Sequence, residues 1–98
     1  MRLRVRVLAQ AEADATAAAE WYESRSPGLG ARFLAAVVAT LERVADGPAQ
    51  YMRFSRALKH RRANVQRFPY AVVFSVEGDE IEVVAVAHGR RRPGYWVR

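Results

Sequence analysis

The feature that most constrains this chain is an apolar stripe with helical spacing that ends at a glycine–proline pair. Its members recur every three or four residues: Leu29, Phe33, Leu34, Val37, Val38, Leu41 and Val44. Apolar residues at this spacing occupy one face of an α-helix. Gly47-Pro48 ends the pattern, because glycine suits the left-handed position after a helix and proline cannot continue it. Ser26 as N-cap and Pro27 at the first helical position predict where the helix begins.

An alanine-rich segment from Ala9 to about Arg25 predicts another helix, which precedes the apolar stripe in the chain. Its inner face follows the spacing of successive helical turns, with Ala11, Ala15, Ala18 and Tyr22. Small side chains on this face allow another helix to approach closely. Residues 9–47 are therefore predicted to form a helical hairpin.

The segments around the hairpin alternate with the two-residue period of β-strands. Leu3, Val5 and Val7 alternate with arginines before it, and Gly78-Asp79 has the composition of a two-residue hairpin turn after it. Strand character continues at 57–60 (the start of a short strand), 61–68, 70–76 and 81–88.

The last of these segments is apolar on both faces, which predicts a central strand. Ile81, Val83 and Ala85 would lie on one face, and Val84 and Val86 on the other. The element order predicts an α+β fold, β-α-α-β-β-β, with the helical hairpin packed on one face of a mainly antiparallel sheet. No repeat or linker interrupts the chain, so residues 1–98 are predicted to form a single domain.

The composition excludes several classes of site. The sequence has no cysteine, so disulfides, zinc ribbons, iron–sulfur centres and thiol nucleophiles are excluded. His60 and His88 are far apart and lack neighbouring carboxylate pairs, so we expect neither a metal nor a cofactor. No apolar run approaches the roughly 18 residues of a membrane span, and residues 1–8 lack the apolar core of a signal peptide. We therefore expect a cytoplasmic protein without membrane contact.

The net charge of +6 comes entirely from the second half of the sequence. Residues 1–50 hold six basic and six acidic side chains, whereas residues 51–98 hold ten basic and four acidic ones. A basic surface attracts phosphate backbones or an acidic protein partner. A genome-wide preference for arginine would explain the choice of arginine over lysine as well as a binding function would. It does not explain why the excess positive charge lies only in the second half of the sequence.

The second half also contains the candidate functional side chains. They are Arg61, Arg62, Arg67, His88, Arg90, Arg91, Arg92, Tyr95 and Trp96. Arg61 and Arg67 would share one face of a regular strand, and Arg62 the other. If the strands 61–68 and 81–88 lie in one sheet, these groups could converge on one concave basic surface.

Such a surface is compatible with two chemistries. Cleavage of RNA could use His88 or Tyr95 for proton transfer, while Arg67 and Arg91 stabilise the phosphate. A protein-inhibitor surface would need only arginines and aromatic rings as anchors. Structural explanations compete with both: a histidine hydrogen-bonded at the rim of the core, a C-terminal aromatic plug over the core, and a solvated arginine loop.

Several segments together carry a family resemblance over nearly the whole chain. They are Ala-Glu-Trp-Tyr-Glu at 19–23, Pro-Gly-Leu-Gly at 27–30, Arg-Phe-Leu at 32–34, Arg-Phe-Pro-Tyr at 67–70, and His-Gly-Arg-Arg-Arg-Pro at 88–93 followed by Tyr95-Trp96. In this order they resemble the RelE/ParE family of type II toxin–antitoxin toxins. The resemblance implies the fold predicted above, a toxin that arrests growth, and a cognate antitoxin encoded alongside.

The two branches of that family imply different activities. RelE-like members cleave mRNA in the ribosome, and Arg67, His88, Arg91 and Tyr95 fall near the positions of their catalytic residues. ParE-like members inhibit DNA gyrase without hydrolysis. The Trp-Tyr-Glu helix, the glycine-bounded second helix and the reduction of a lysine-rich strand to Lys59 favour the ParE-like branch. An inactive binding module or relic toxin is the third alternative.

The predicted partners follow from the charge and from the resemblance together. A hairpin and sheet with a basic second half suit an acidic, partly disordered antitoxin that folds on binding. We assign Arg61, Arg62, Arg90, Arg92 and Trp96 to binding of the antitoxin or of the target, which is gyrase or the ribosome with its mRNA. The expected assembly is a toxin–antitoxin hetero-oligomer.

Overall fold

The computed structural model, which describes residues 2–53 and 58–90, packs a helical hairpin on a four-stranded sheet. The described elements are β1 (Arg4–Val7), α1 (Ala9–Arg25), α2 (Leu29–Asp46), a 3₁₀ turn (Pro48–Gln50), β2 (Arg61–Asn64), β3 (Tyr70–Glu77) and β4 (Glu80–His88). The strand order is β1-β4-β3-β2, with β1 parallel to β4 and the other neighbours antiparallel. The predicted α+β fold is confirmed, including the central position of the last strand.

The core lies between the helices and one face of the sheet. Val72 and Phe74 of β3 are fully buried there against Phe33 and Val44 of α2. The predicted inner face of α1 is also confirmed, since Ala11 and its neighbours along the stripe belong to the same cluster. The apolar side chains that alternate along β3 and those that recur along the two helices therefore pack in the same core.

The two helices touch most closely where Gly30 meets the backbone of α1. A Cβ atom on Gly30 would lie 2.5 Å from the carbonyl oxygen of Ala19. This is a steric clash, so only glycine fits here without a shift of the backbone. The carboxylate of Glu23 accepts hydrogen bonds from the backbone N–H groups of Gly28 and Gly30, each at 3.0 Å. These bonds satisfy amides that the first turn of a helix leaves without partners.

Both predicted ends of α2 need correction. The helix begins at Leu29 rather than at Ser26-Pro27, because Gly28, at φ 88°, turns the chain in a conformation that glycine tolerates. At the other end Gly47 is extended, with φ −161°, rather than left-handed. The residue before a proline is pushed towards extended conformations, and Pro48 starts the 3₁₀ turn directly afterwards.

The strand predicted over 61–68 ends at Asn64. The chain turns over the next five residues, and the backbone N–H of Val65 donates to the carbonyl of Tyr70 at 2.9 Å. This turn brings β3 back antiparallel to β2. Residues 58–60 form no strand; instead Arg53 makes an isolated antiparallel bridge with Arg61. Residue 57 lies outside the described residues.

A bulge changes the faces predicted for β4. Val73 and Phe74 of β3 pair with Ala85 and Val83, so Val84 is an extra residue in β4. Beyond the bulge the alternation is shifted by one. Val86 therefore joins Ile81 and Val83 on the helix side, whereas Ala85 packs in a small cluster on the opposite side with Val73.

The apolar stripe of α2 is wider than the surface it covers. Phe33, Val37 and Val44 are buried, but Leu34 and Val38 are 41% and 54% exposed. The apolar stripe read from the sequence therefore includes two residues that the fold leaves outside the core. No helix within the described residues combines the length and apolar character needed to cross a bilayer.

The contact at Gly30 makes a stability prediction. Gly30→Ala is expected to lower the free energy of unfolding by about 2 kcal/mol, because the added methyl group forces the two helices apart. Urea denaturation measures the difference. Gly89→Ala is the matched control, since its added Cβ would lie 3.6 Å from the carbonyl of Pro69, an ordinary contact. Equal stability of the two variants would contradict the prediction.

Candidate functional site

Two grooves open at the end of the sheet where the β2–β3 loop meets the end of β4. We call the first the His88 groove; it has a volume of about 480 Å³ and is lined by Asp14, Ala17, Ala18, Trp21, Tyr22, Pro69, Tyr70, Val86 and His88. We call the second the arginine groove; it has a volume of about 550 Å³ and is lined by Leu29, Arg32, Ala35, Ala36, Ala39, Arg43, Gln66, Arg67 and Phe68. α1 borders the first groove and α2 borders the second.

His88 is held at the end of β4 by its own backbone surroundings. Its Nδ1 atom accepts a hydrogen bond from the backbone N–H of Arg90 at 3.1 Å. Its ring packs edge-on against Tyr70, with 5.1 Å between the ring centroids. Because Nδ1 is an acceptor, the neutral ring carries its proton on Nε2. Only Nε2 is left to exchange a proton with a bound molecule.

Asp14 connects α1 to the edge of β4 inside the same groove. Its Oδ2 atom accepts a hydrogen bond from the backbone N–H of Val86 at 3.1 Å, and its Oδ1 atom accepts one from Gln10 at 2.8 Å. β1 pairs with β4 only as far as Val83. The carboxylate therefore takes the place of a neighbouring strand for an amide of β4 beyond the end of its pairing with β1.

The arginine groove has an alanine floor and arginines around it. Arg32, Ala36, Ala39 and Arg43 recur at the spacing of successive turns of α2 and so share one face of the helix. Arg67 lies across the groove, in the β2–β3 loop. Within the described residues neither Arg32 nor Arg67 forms an ion pair, so both guanidinium groups remain available to an acidic ligand.

Arg67 also has an unusual backbone conformation. Its φ of 72° is the only positive value at a non-glycine residue among those described. A side chain other than that of glycine costs about 1 kcal/mol or more in this conformation. The loop therefore keeps an arginine where glycine would be less strained.

A cluster of four aromatic rings separates the two grooves, and we call it the aromatic wedge. Its members are Tyr22, Phe33, Phe68 and Tyr70, with ring centroids 5.0 to 6.2 Å apart. Phe68 lines the arginine groove, whereas Tyr22 and Tyr70 line the His88 groove. Burial raises the pKa of the Tyr22 hydroxyl, and the nearby Tyr70 adds to the increase, so Tyr22 is a neutral hydrogen-bonding group at physiological pH.

The predicted candidates do not all meet on one surface. Arg67 and His88 do lie at the same end of the sheet, but on opposite sides of the aromatic wedge. Arg61 donates to the carbonyl of Tyr51 at 2.6 Å, and Arg62 donates to Asn64 at 2.9 Å.

The two strand arginines lie on opposite faces of β2, as predicted, because Arg61 pairs with Phe74 and Arg62 with Val73. The expectation that Arg67 shares the face of Arg61 is wrong, since the strand ends before the loop. Arg90 is exposed directly after β4. The remaining candidates, Arg91, Arg92, Tyr95 and Trp96, lie outside the described residues.

The tertiary structure also redistributes the charge that the sequence placed in the second half. All four acidic residues of that half lie around the β3–β4 hairpin and form ion pairs there: Lys59–Glu77 at 2.7 Å, Arg4–Asp79 at 3.8 Å, and Arg6 with Glu80 and Glu82. Such exposed pairs contribute little to stability. They do neutralise one end of the sheet, whereas Arg32 and Arg67, which form no ion pair within the described residues, line the arginine groove.

Three residues that shape the grooves are absent from the sites predicted by sequence: Asp14, Arg32 and Arg43. Arg32 and Arg43 have no site role in the sequence predictions, although their spacing of 11 residues, three helical turns, places them on one face of α2. No sequence pattern could indicate the role of Asp14, because its hydrogen bond with the backbone of Val86 depends on how β4 lies against α1. Within the described residues no group of three or more possible metal ligands exists.

The family model for the ParE toxin of the type II toxin–antitoxin system parDE matches residues 5–93. This chain belongs to the ParE toxin family. The family lies within the RelE/ParE resemblance found in the sequence, and that resemblance is confirmed.

A solved structure supports the same fold. A chain of the chromosomal ParDE toxin–antitoxin system from P. aeruginosa superimposes with a TM-score of 0.78 at 20% identity, over 89% of this chain and 96% of that chain. At this identity the likeness establishes the fold. A search of curated proteins found no match.

The link between Asp14 and β4 can be tested by mutation of this ParE family member. Asp14→Ala is expected to lower the free energy of unfolding by about 1–3 kcal/mol, because the N–H of Val86 loses its acceptor. Thermal or urea unfolding measures the loss. Glu20→Ala removes an exposed carboxylate from the same helix and should change stability by less than about 0.5 kcal/mol. A loss no larger than that of the control would contradict the assigned role.

The strain at Arg67 makes a second prediction. Arg67→Gly is expected to be more stable than Arg67→Ala by about 0.5–1 kcal/mol, because only the glycine relieves the positive φ. Urea unfolding of the two variants measures the order. At the neighbouring Gln66, whose φ is not positive, alanine should be the more stable replacement. The same order at both positions would contradict the argument.

Proposed function

We propose that this chain is the toxin of a type II toxin–antitoxin module, that it arrests growth by inhibiting DNA gyrase without hydrolysis, and that an acidic cognate antitoxin neutralises it. The family match supports the toxin assignment. The gyrase target and the neutralisation are inferences from the family branch and from the geometry of the two grooves. The expected toxin domain spans residues 1–98.

The observation that favours gyrase over mRNA is the composition of the His88 groove. Cleavage of RNA needs cationic groups close to the proton-transfer residue, because negative charge develops on the phosphate. Among the described residues that line this groove, no arginine or lysine accompanies His88, and Asp14 adds a negative charge. Arg32, Arg43 and Arg67 lie in the other groove, beyond the aromatic wedge. The described residues therefore suit binding of a protein better than phosphoryl chemistry.

An acidic antitoxin is supported by the distribution of charge. The ion pairs around the β3–β4 hairpin neutralise that end of the sheet, and arginines without ion pairs surround the groove beside α2. Complementary charge accelerates association and selects an acidic partner over a basic one. Such a partner also keeps a toxin covered until the partner is removed.

The test follows gyrase and mRNA in parallel. Purified toxin is expected to reduce supercoiling by gyrase and to trap cleaved DNA, measured on agarose gels with a plasmid substrate, while mRNA in arrested cells remains intact. Toxin premixed with its antitoxin is the control and should leave supercoiling unchanged. Normal supercoiling at a toxin concentration that arrests growth would overturn the gyrase target.

The RNase alternative rests on His88, whose Nε2 atom is available in a groove large enough for a nucleotide. It predicts cleavage within codons of translated mRNA that disappears in His88→Ala and persists in His60→Ala, a histidine outside both grooves. Overexpression that harms no cell in the absence of antitoxin would instead identify an inactive relic.

A further inference from the structure

The arginine groove has two properties that neither the gyrase target nor the RNase alternative uses. Its charges are arginines placed around the opening, and its floor is formed by alanines with Leu29 and Phe68 at one end. It is therefore apolar at the centre and basic around it. This pattern is typical of protein-binding sites, in which arginine is enriched and the centre is dry.

The spacing of the arginines describes the ligand. Arg32 and Arg43 are 11 residues apart, about 16 Å along the axis of α2. Single-stranded nucleic acid carries a phosphate every few ångströms and would leave most of its charges over the alanine floor. A polypeptide with carboxylates at two separated positions and small apolar side chains between them matches both the charges and the floor.

Arg67 adds an independent observation from the opposite wall. The loop holds this residue at φ 72°, a conformation that disfavours arginine. Strain of this kind persists at sites where a side chain is needed in a particular place. The side chain lines the same groove as Arg32 and Arg43, and in the described part of the chain it forms no ion pair.

We propose that the arginine groove binds an acidic segment of the antitoxin, with carboxylates paired to Arg32, Arg43 and Arg67 and with small apolar residues on the alanine floor. This inference rests on the proposed function, because it takes the antitoxin as the partner. It locates the contact on α2 and the β2–β3 loop, and it leaves the His88 groove outside this contact.

Binding measurements with groove variants test the charge contacts. The probe is the purified antitoxin of the same module, titrated by calorimetry into full-length toxin. Arg32→Ala and Arg43→Ala are each expected to raise the Kd at least about tenfold, because each leaves a carboxylate unpaired in the complex. The double variant should raise it by about a hundredfold and should show a weaker dependence of Kd on salt concentration.

The control variant removes the same net charge elsewhere. Arg2→Ala/Arg4→Ala lies near the neutralised hairpin end, and its Kd should stay within about twofold of the wild-type value. Thermal unfolding checks that every variant is folded. Equal losses of affinity in the two double variants would mean that only net charge matters, and this result would overturn the groove assignment.

Cysteine protection locates the contact without changing the charge. The chain has no cysteine, so Ala35→Cys in the arginine groove and Ala17→Cys in the His88 groove each introduce a unique thiol. Both alanines are exposed on helices. The antitoxin is expected to slow alkylation of the thiol at position 35 at least tenfold and to leave the thiol at position 17 reactive. Protection at position 17 alone, or equal protection at both, would overturn the inference.

The two proposals fail in different ways. If the antitoxin binds wild-type toxin tightly but the groove variants bind as well as the wild type, the groove assignment is wrong and the toxin–antitoxin function stands. If the wild-type toxin binds no antitoxin, the proposed neutralisation fails, and this inference fails with it.

Discussion

The aromatic wedge is the interaction on which the rest of the structure depends. It joins one ring from each helix to two rings from the β2–β3 loop and the start of β3, so the hairpin, the loop and the sheet pack at a single place. Edge-to-face ring pairs contribute about 0.5–1.5 kcal/mol each beyond the area they bury. The wedge also divides the surface. Tyr22 and Tyr70 line the His88 groove, whereas Phe68 lines the arginine groove.

Separation of the grooves explains how one short chain can present two different chemistries. The His88 groove contains hydrogen-bonding groups held in place by backbone contacts, with a carboxylate among them. The arginine groove is apolar at its centre and cationic around it. If the charges and the proton-transfer groups shared one cavity, phosphate chemistry would be the natural conclusion. Their separation supports the proposal of a toxin that works by binding, with the arginine groove as the proposed surface for its antitoxin.

Much of the fold could be predicted from the sequence, because periodicity reports local geometry directly. The helical stripe that contains Phe33, the alternation of β3 and the Gly78-Asp79 turn each specify an element from residues close together in the chain. The errors occur where the path of the folded backbone decides: the left-handed turn at Gly28 moves the start of α2 to Leu29, and the return of the chain into β3 cuts β2 short. The bulge at Val84 belongs to this class, since a shift in register exists only relative to a partner strand.

The sequence by itself determined the element types, the central position of β4, the absence of thiol chemistry and the membership of the family, because these depend on composition and short-range order. Only the tertiary structure decided which charges remain free and which side chains share a groove. Arg4 and Arg6 are distant in sequence from the acidic residues they neutralise, and Arg32 is distant from Arg67. Electrostatic attraction depends on separation in space, and the packing of the hairpin on the sheet sets that separation.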